Sequence, residues 1–156
     1  MKLREFFRIT ISIAIGLTAV AAWASPPKRG PIDVPCVEEA AAFHKVNAMV
    51  LRAIVYHESR GNPLTVVRNT NDTVDVGLGG LNSVHFSELG RYGIAPDHLL
   101  DGCVNVYVVA WHLSKQVKQY GNTWTAVGTY HSKTPQYRDR YSNEIYKVLK
   151  SWGVTP

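Results

Sequence analysis

The chain has 156 residues, the length of one domain. Hydrophobic residues at 46% and charged residues at 19% exclude a wholly disordered chain, and two cysteines are too few for a disulfide-dense mini-protein or a cysteine-only zinc site. The net charge is +5; setting aside Lys2, Arg4, Arg8 and Glu5 leaves 14 bases against 11 acids, or +3, with no dense basic run, so no nucleic-acid partner is expected.

Lys2, Arg4 and Arg8 precede an uncharged run over 9–24 that ends in Ala22-Trp23-Ala24. Basic start, apolar middle and small-x-small end read as a secretory signal peptide over residues 1–24, and hence predict a periplasmic protein. The other reading, an uncleaved anchor, is disfavoured by length, because a bilayer takes about 20 apolar residues in a helix. Outside the cytoplasm Cys36 and Cys103 are expected to be bridged rather than free. A loop of that length would gain about 4 kcal/mol from closure in the chain-entropy picture. Residues 25–35 hold four prolines and a glycine and read as a tail rather than a core element.

Residues 36–46 read as a first helix, with Glu38 and Glu39 in the first turn, where the helix dipole favours anions. Residues 48–58 read as a second; Val50, Leu51, Ile54 and Val55 form one stripe, and Gly61-Asn62-Pro63 stops it. Val66-Val67 and Thr73-Val74 flank polar turn residues 69–72 and predict a small β-hairpin. Residues 77–80 are a Gly-rich loop, and 83–89 a short helix capped by Ser83. Residues 103–120 form a long helix, with Val106, Val109, Ala110, Leu113 and Val117 at helical spacing and Gly121 as its stop. Residues 123–130 and 136–150 are further helices, the last presenting Tyr137, Tyr141, Ile145 and Val148 on one face. The class is α+β, mostly α, with a small hairpin element.

Several chemistries are missing. His57-Glu58 lacks the second histidine of a zinc protease, since Gly61 stands four residues on, and the other histidines are scattered; no metal site and no cofactor are expected. The run from Gly77 to Asn82 lacks both the last glycine and the βαβ setting of a dinucleotide loop, and no Gly-x-Ser-x-Gly elbow occurs. What remains is Glu58 at the end of an apolar helix. A carboxyl held against apolar walls keeps its proton and can donate it to a glycosidic oxygen. The alternative is a solvated glutamate paired with Arg60 or Arg52.

Four stretches resemble the soluble lytic transglycosylase family, whose domain is lysozyme-like, and in particular its small members that accompany secretion, conjugation and pilus machines. Residues 54–59 resemble the family's Glu-Ser helix end, with Asn62-Pro63 following. Asp75-Val76-Gly77-Leu78 and then Leu81-Asn82 resemble its Gly-Leu-Met-Gln-Ile-Asn loop. Residues 126–130 resemble its Ala-x-x-x-Tyr-Asn helix, and Cys36 with Cys103 match a cysteine pair of the specialised members. The resemblance covers about residues 36–141 and implies a lysozyme-like transglycosylase domain over 36–152.

That resemblance implies cleavage of peptidoglycan glycan strands at the β-1,4 bond between N-acetylmuramic acid and N-acetylglucosamine. Glu58 would be the single acid and base, and the product a 1,6-anhydro sugar. It implies that Tyr130 hydrogen-bonds Glu58, and that Ser59, Gly80, Asn82, Tyr130 and His131 shape the substrate site. It also makes components of a secretion, conjugation or pilus apparatus the expected partners. Three features depart from the family or compete with it. Gly79-Gly80 replaces Met-Gln, which predicts a looser loop, weak cleavage, and a gain on restoring Met-Gln if the backbone angles allow it. His131 stands where the family has Asn. Asp75 lies where lysozymes hold a second carboxylate, so it either braces the turn into Gly77 or makes the reaction hydrolytic. A glycan-binding scaffold with little or no activity is the reading from a different class.

Overall fold

The computed structural model describes residues 30–154; the signal-peptide expectation over 1–24 lies outside them. Six α-helices surround a core, with one three-stranded sheet set to the side. The helices are α1 (Val37–His44), α2 (Ala48–Ser59), α3 (Phe86–Gly90), α4 (Gly102–Tyr120), α5 (Trp124–Thr129) and α6 (Pro135–Ser151). The strands are β1 (Val66–Arg68), β2 (Val74–Val76) and β3 (Leu81–Asn82), in the order β1-β2-β3 and antiparallel throughout. Two 3-10 turns, Ser83–His85 and Pro96–Leu100, precede α3 and α4.

The central helix is α4, which packs against α1, α2 and α5, while α6 closes on α2 and α5. Val106, Val109, Ala110 and Leu113 of α4 are all buried, as the spacing predicts. On α6 the buried stripe is Tyr141, Ile145 and Leu149. Tyr137, expected on that face, is 44% exposed, because the helix begins beyond the core and reaches over a cleft. The expected bridge is present: Cys36 and Cys103 form a disulfide that ties the start of α1 to the start of α4.

Three expectations need correction. The end of the proline-rich stretch is not a free tail: Val34 is buried, and the Ile32 carbonyl accepts a bond from Arg52 at 3.0 Å. The hairpin forms as predicted but gains a third strand, because Leu81 packs inward and Asn82 falls opposite Asp75 in register. The cap of the following turn is Asn82, whose Oδ1 accepts the Val84 N–H at 3.0 Å. Ser83 instead accepts the Val74 N–H at 3.0 Å, stitching that turn to the sheet.

Candidate active site

Helix α2 starts at Asn47, whose side chain accepts the N–H groups of Met49 and Val50. It stops when Arg60 and Gly61 turn left-handed. Glu58 therefore sits in the last turn, beyond the buried Leu51, Ile54 and Val55, and faces a cleft of about 790 Å³. One wall of this cleft is the sheet, with Asn69, Thr73, Asp75 and Asn82; the other holds Tyr130, His131 and Tyr137.

The arginines weighed as partners of Glu58 are engaged elsewhere. Arg52 pairs with Glu38, and Arg60 bonds the Tyr56 carbonyl. The partner of Glu58 is Tyr141, whose hydroxyl donates to Oε1 at 2.5 Å. Burial pushes the Glu58 carboxyl up from 4.5 to about 7; the Tyr141 bond opposes this, and the negative charges of Asp75 and Glu144 add to it. Near neutral pH this carboxyl therefore takes up and gives back a proton readily, as a general acid–base group must. Tyr141 is itself held from two sides, stacked on His131 at 5.0 Å and met edge-on by His57 at 5.2 Å.

Asp75 shares the cleft in a different setting. Asn82 donates to its Oδ1 at 2.7 Å and Asn69 to its Oδ2 at 2.9 Å. Both amides also reach Thr73, at 3.0 Å each, and the Thr73 hydroxyl donates to Asn71 at 2.7 Å, so five side chains form one network across the sheet. Among the described residues, no three His, Cys, Asp or Glu side chains gather as a metal site would need.

A family model of the transglycosylase SLT domain matches residues 35–147. The chain belongs to this family. It is similar to the X polypeptide of Escherichia coli, at 37% identity over 120 residues, covering 72% of this chain and 71% of that protein. The X polypeptide of Escherichia coli strain K12 is 36% identical over 120 residues, with the same shares covered. The invasion protein IagB of Salmonella typhimurium strain SL1344 is 34% identical over 127 residues, covering 76% of this chain and 79% of that protein.

Within this SLT domain the residues expected at the site do not all meet. Glu58, Gly80, Asn82, Tyr130 and His131 line the one cleft. Ser59 turns away: its hydroxyl donates to the Val55 carbonyl at 3.2 Å and accepts the Gly61 N–H at 3.1 Å, which helps end the helix. Tyr130 does not bond Glu58. Its hydroxyl donates to the Gly79 carbonyl at 2.8 Å, while the Gly79 N–H donates to Oδ1 of the buried Asn105 at 3.0 Å. Both polar groups of Gly79 are thus held, and the loop expected to be loose is clamped from α4 and from the end of α5.

The two glycines are required by packing. A Cβ on Gly79 would overlap Cγ2 of Val109, and one on Gly80 would stand 2.9 Å from Oε2 of Glu58, at a backbone φ of +58°. Bringing the loop this close lets backbone cover one side of the Glu58 carboxyl. Sequence reasoning passed over Tyr141, which it read only as part of an apolar face, and Asn105. An Asn between Val104 and Val106 in the first turn of an apolar helix is the signal that could have marked Asn105, since a buried amide needs polar partners.

Proposed function

We propose that this protein is a periplasmic lytic transglycosylase, exported by its N-terminal segment, that cleaves peptidoglycan glycan strands between N-acetylmuramic acid and N-acetylglucosamine. The observation that carries the reading is Glu58: a half-buried carboxyl, its pKa raised to about 7, set in the cleft wall and aimed by Tyr141. In the protonated state Glu58 gives its proton to the leaving oxygen. The acetamido oxygen of the muramic acid attacks the anomeric carbon, and an oxazolinium forms as the glycosidic bond breaks. Glu58, now a carboxylate, takes the proton of the same sugar's C6 hydroxyl. That oxygen displaces the acetamido oxygen and closes the 1,6-anhydro ring. Two proton transfers are served by one group, and held proximity favours the ring closure.

The state of Asp75 supports this route over hydrolysis. Each of its oxygens already accepts an amide N–H, so it is braced within the sheet wall rather than presented as a nucleophile. The role we assign is local opening of the cell wall for an envelope-spanning apparatus of the secretion, conjugation or pilus kind. Similarity to a protein named for invasion supports it. Digestion of purified sacculi with mass analysis of the products is the test. Anhydro-ended muropeptides are expected; reducing ends would make the protein a hydrolase, and no release would make it a glycan-binding module.

A further inference from the structure

His112, on α4, carries the single buried side-chain nitrogen or oxygen without a partner among the described residues, its Nδ1. The residue is 8% exposed and forms part of the cleft wall. Its Nε2 lies 3.1 Å from the Tyr130 carbonyl oxygen. A carbonyl only accepts, so the proton of the neutral ring resides on Nε2 and Nδ1 keeps a bare lone pair. The ring is neutral over the ordinary pH range: burial lowers its pKa to about 4, with His85 and Lys115 acting in the same direction and Glu88 against. A buried acceptor without a donor is costly, and calls for a molecule to complete it.

The ring of His85 packs on that of His112, with centroids 4.5 Å apart. His85 sits on the 3-10 turn after β3, lines the same cleft, and is itself met by Trp111 edge-on at 6.4 Å. It is held by ring contacts and makes no hydrogen bond through its side chain among the described residues, so it can turn aside without breaking one.

We propose that His112 is a substrate-binding residue of the cleft: when a glycan strand enters, His85 turns aside and Nδ1 of His112 accepts a hydrogen bond from a hydroxyl or acetamido N–H of a sugar. This rests on the saccharide reading of the cleft and extends it to one atom. The acceptor is fixed in direction, because the other nitrogen of the ring is tied to Tyr130, the residue whose hydroxyl also holds Gly79. A sugar lacking the donor would leave Nδ1 unpaired and bind less well.

The test uses the full mature chain carrying Glu58→Gln, labelled with nitrogen-15 at histidine, and titrated with tetra-N-acetylchitotetraose. Before addition, His112 is expected to show the Nε2–H tautomer with a bare Nδ1. On saturation the Nδ1 signal should move in the direction of hydrogen bonding. His112→Phe in the same background should weaken binding about tenfold, and His112→Asn, which can place an amide oxygen near the position of Nδ1, should recover part of it. Saturation, followed by the signals of His85 and His131, with the Nδ1 signal unmoved would overturn the inference and leave a trapped water as its partner. Failure of the probe to bind would overturn it too. The proposed function is judged separately, by anhydro-muropeptide release from sacculi. Should His112→Phe not fold, the Nδ1 signal of the parent protein still decides.

Discussion

Two carboxyl groups face the same cleft, and the protein treats them in opposite ways. Glu58 comes from a helix end against apolar side chains and receives one hydroxyl; Asp75 comes from a sheet and receives two amides. Burial without enough donors leaves Glu58 about half protonated near pH 7, whereas Asp75 has an amide donor on each oxygen. The same functional group thus holds a raised pKa on one wall and is a structural brace on the other. Burial, and then the number of side-chain donors within reach, make the difference.

The largest effect should come from breaking the proton carrier. Glu58→Gln keeps the size of the side chain and removes its proton cycle, and cleavage of sacculi should fall at least about a hundredfold. The same change should stabilise the fold above neutrality. Folding raises the Glu58 pKa from its ordinary 4.5 to about 7, so the contribution of its proton is full below 4.5 and is lost as pH rises through 7. Above that point wild type should be the less stable by up to about 3 kcal/mol, and near pH 4 the two proteins should melt alike. Equal melting at pH 8.5 would contradict a raised Glu58 pKa.

Removing the one hydroxyl should act next. Tyr141→Phe deletes a bond that favours the charged carboxylate, so the Glu58 pKa should rise further. We expect kcat to fall about tenfold and the alkaline limb of the pH–rate profile to move upward. A tenfold loss with an unmoved profile would mean that Tyr141 only fills space.

Asp75→Asn tests the other wall. It removes a negative charge that raises the Glu58 pKa, so the alkaline limb should move down, and cleavage should fall less than about tenfold. Loss on the scale of Glu58→Gln, with reducing-end products in wild type, would turn the comparison round and make Asp75 a partner in hydrolysis.

The smallest change in chemistry is expected at the loop between the walls, where the effect is on stability. Gly79→Met with Gly80→Gln would restore the residues common in the family, and the sequence alone suggests a gain. The structure reverses that expectation: Val109 occupies the space of a Gly79 side chain, and Gly80 is left-handed beside Glu58. The double variant should melt lower and cleave no faster than wild type. A stable variant with faster turnover would show that the loop can retreat from Glu58.

Much of this was legible in the residues. The four longer helices stand within two residues of the expected bounds at each end, because apolar spacing, Asn-Pro and Gly stops act locally. Glu58 was legible too, as the acid at the end of an apolar stripe, and two cysteines have one pairing available. The third strand was not legible: a two-residue strand has no periodicity, and forms because Leu81 finds the core while Asn82 finds Asp75.

The partner of Glu58 could not be read either. Tyr130 and Tyr141 both lie close enough for their charges to couple with it, and the donor is settled by where α6 crosses α2, eighty-three residues along the chain from Glu58. Likewise, the glycines at 79 and 80 read as missing side chains in one dimension, and are required by close approach in three. The sequence by itself determined the helices, the bridge and the acid, since each depends on neighbours in the chain or on residue type alone. The tertiary structure decided which hydroxyl serves the acid, which carboxylate is braced and why the loop has no side chains, because those depend on distances between segments that the chain order does not contain.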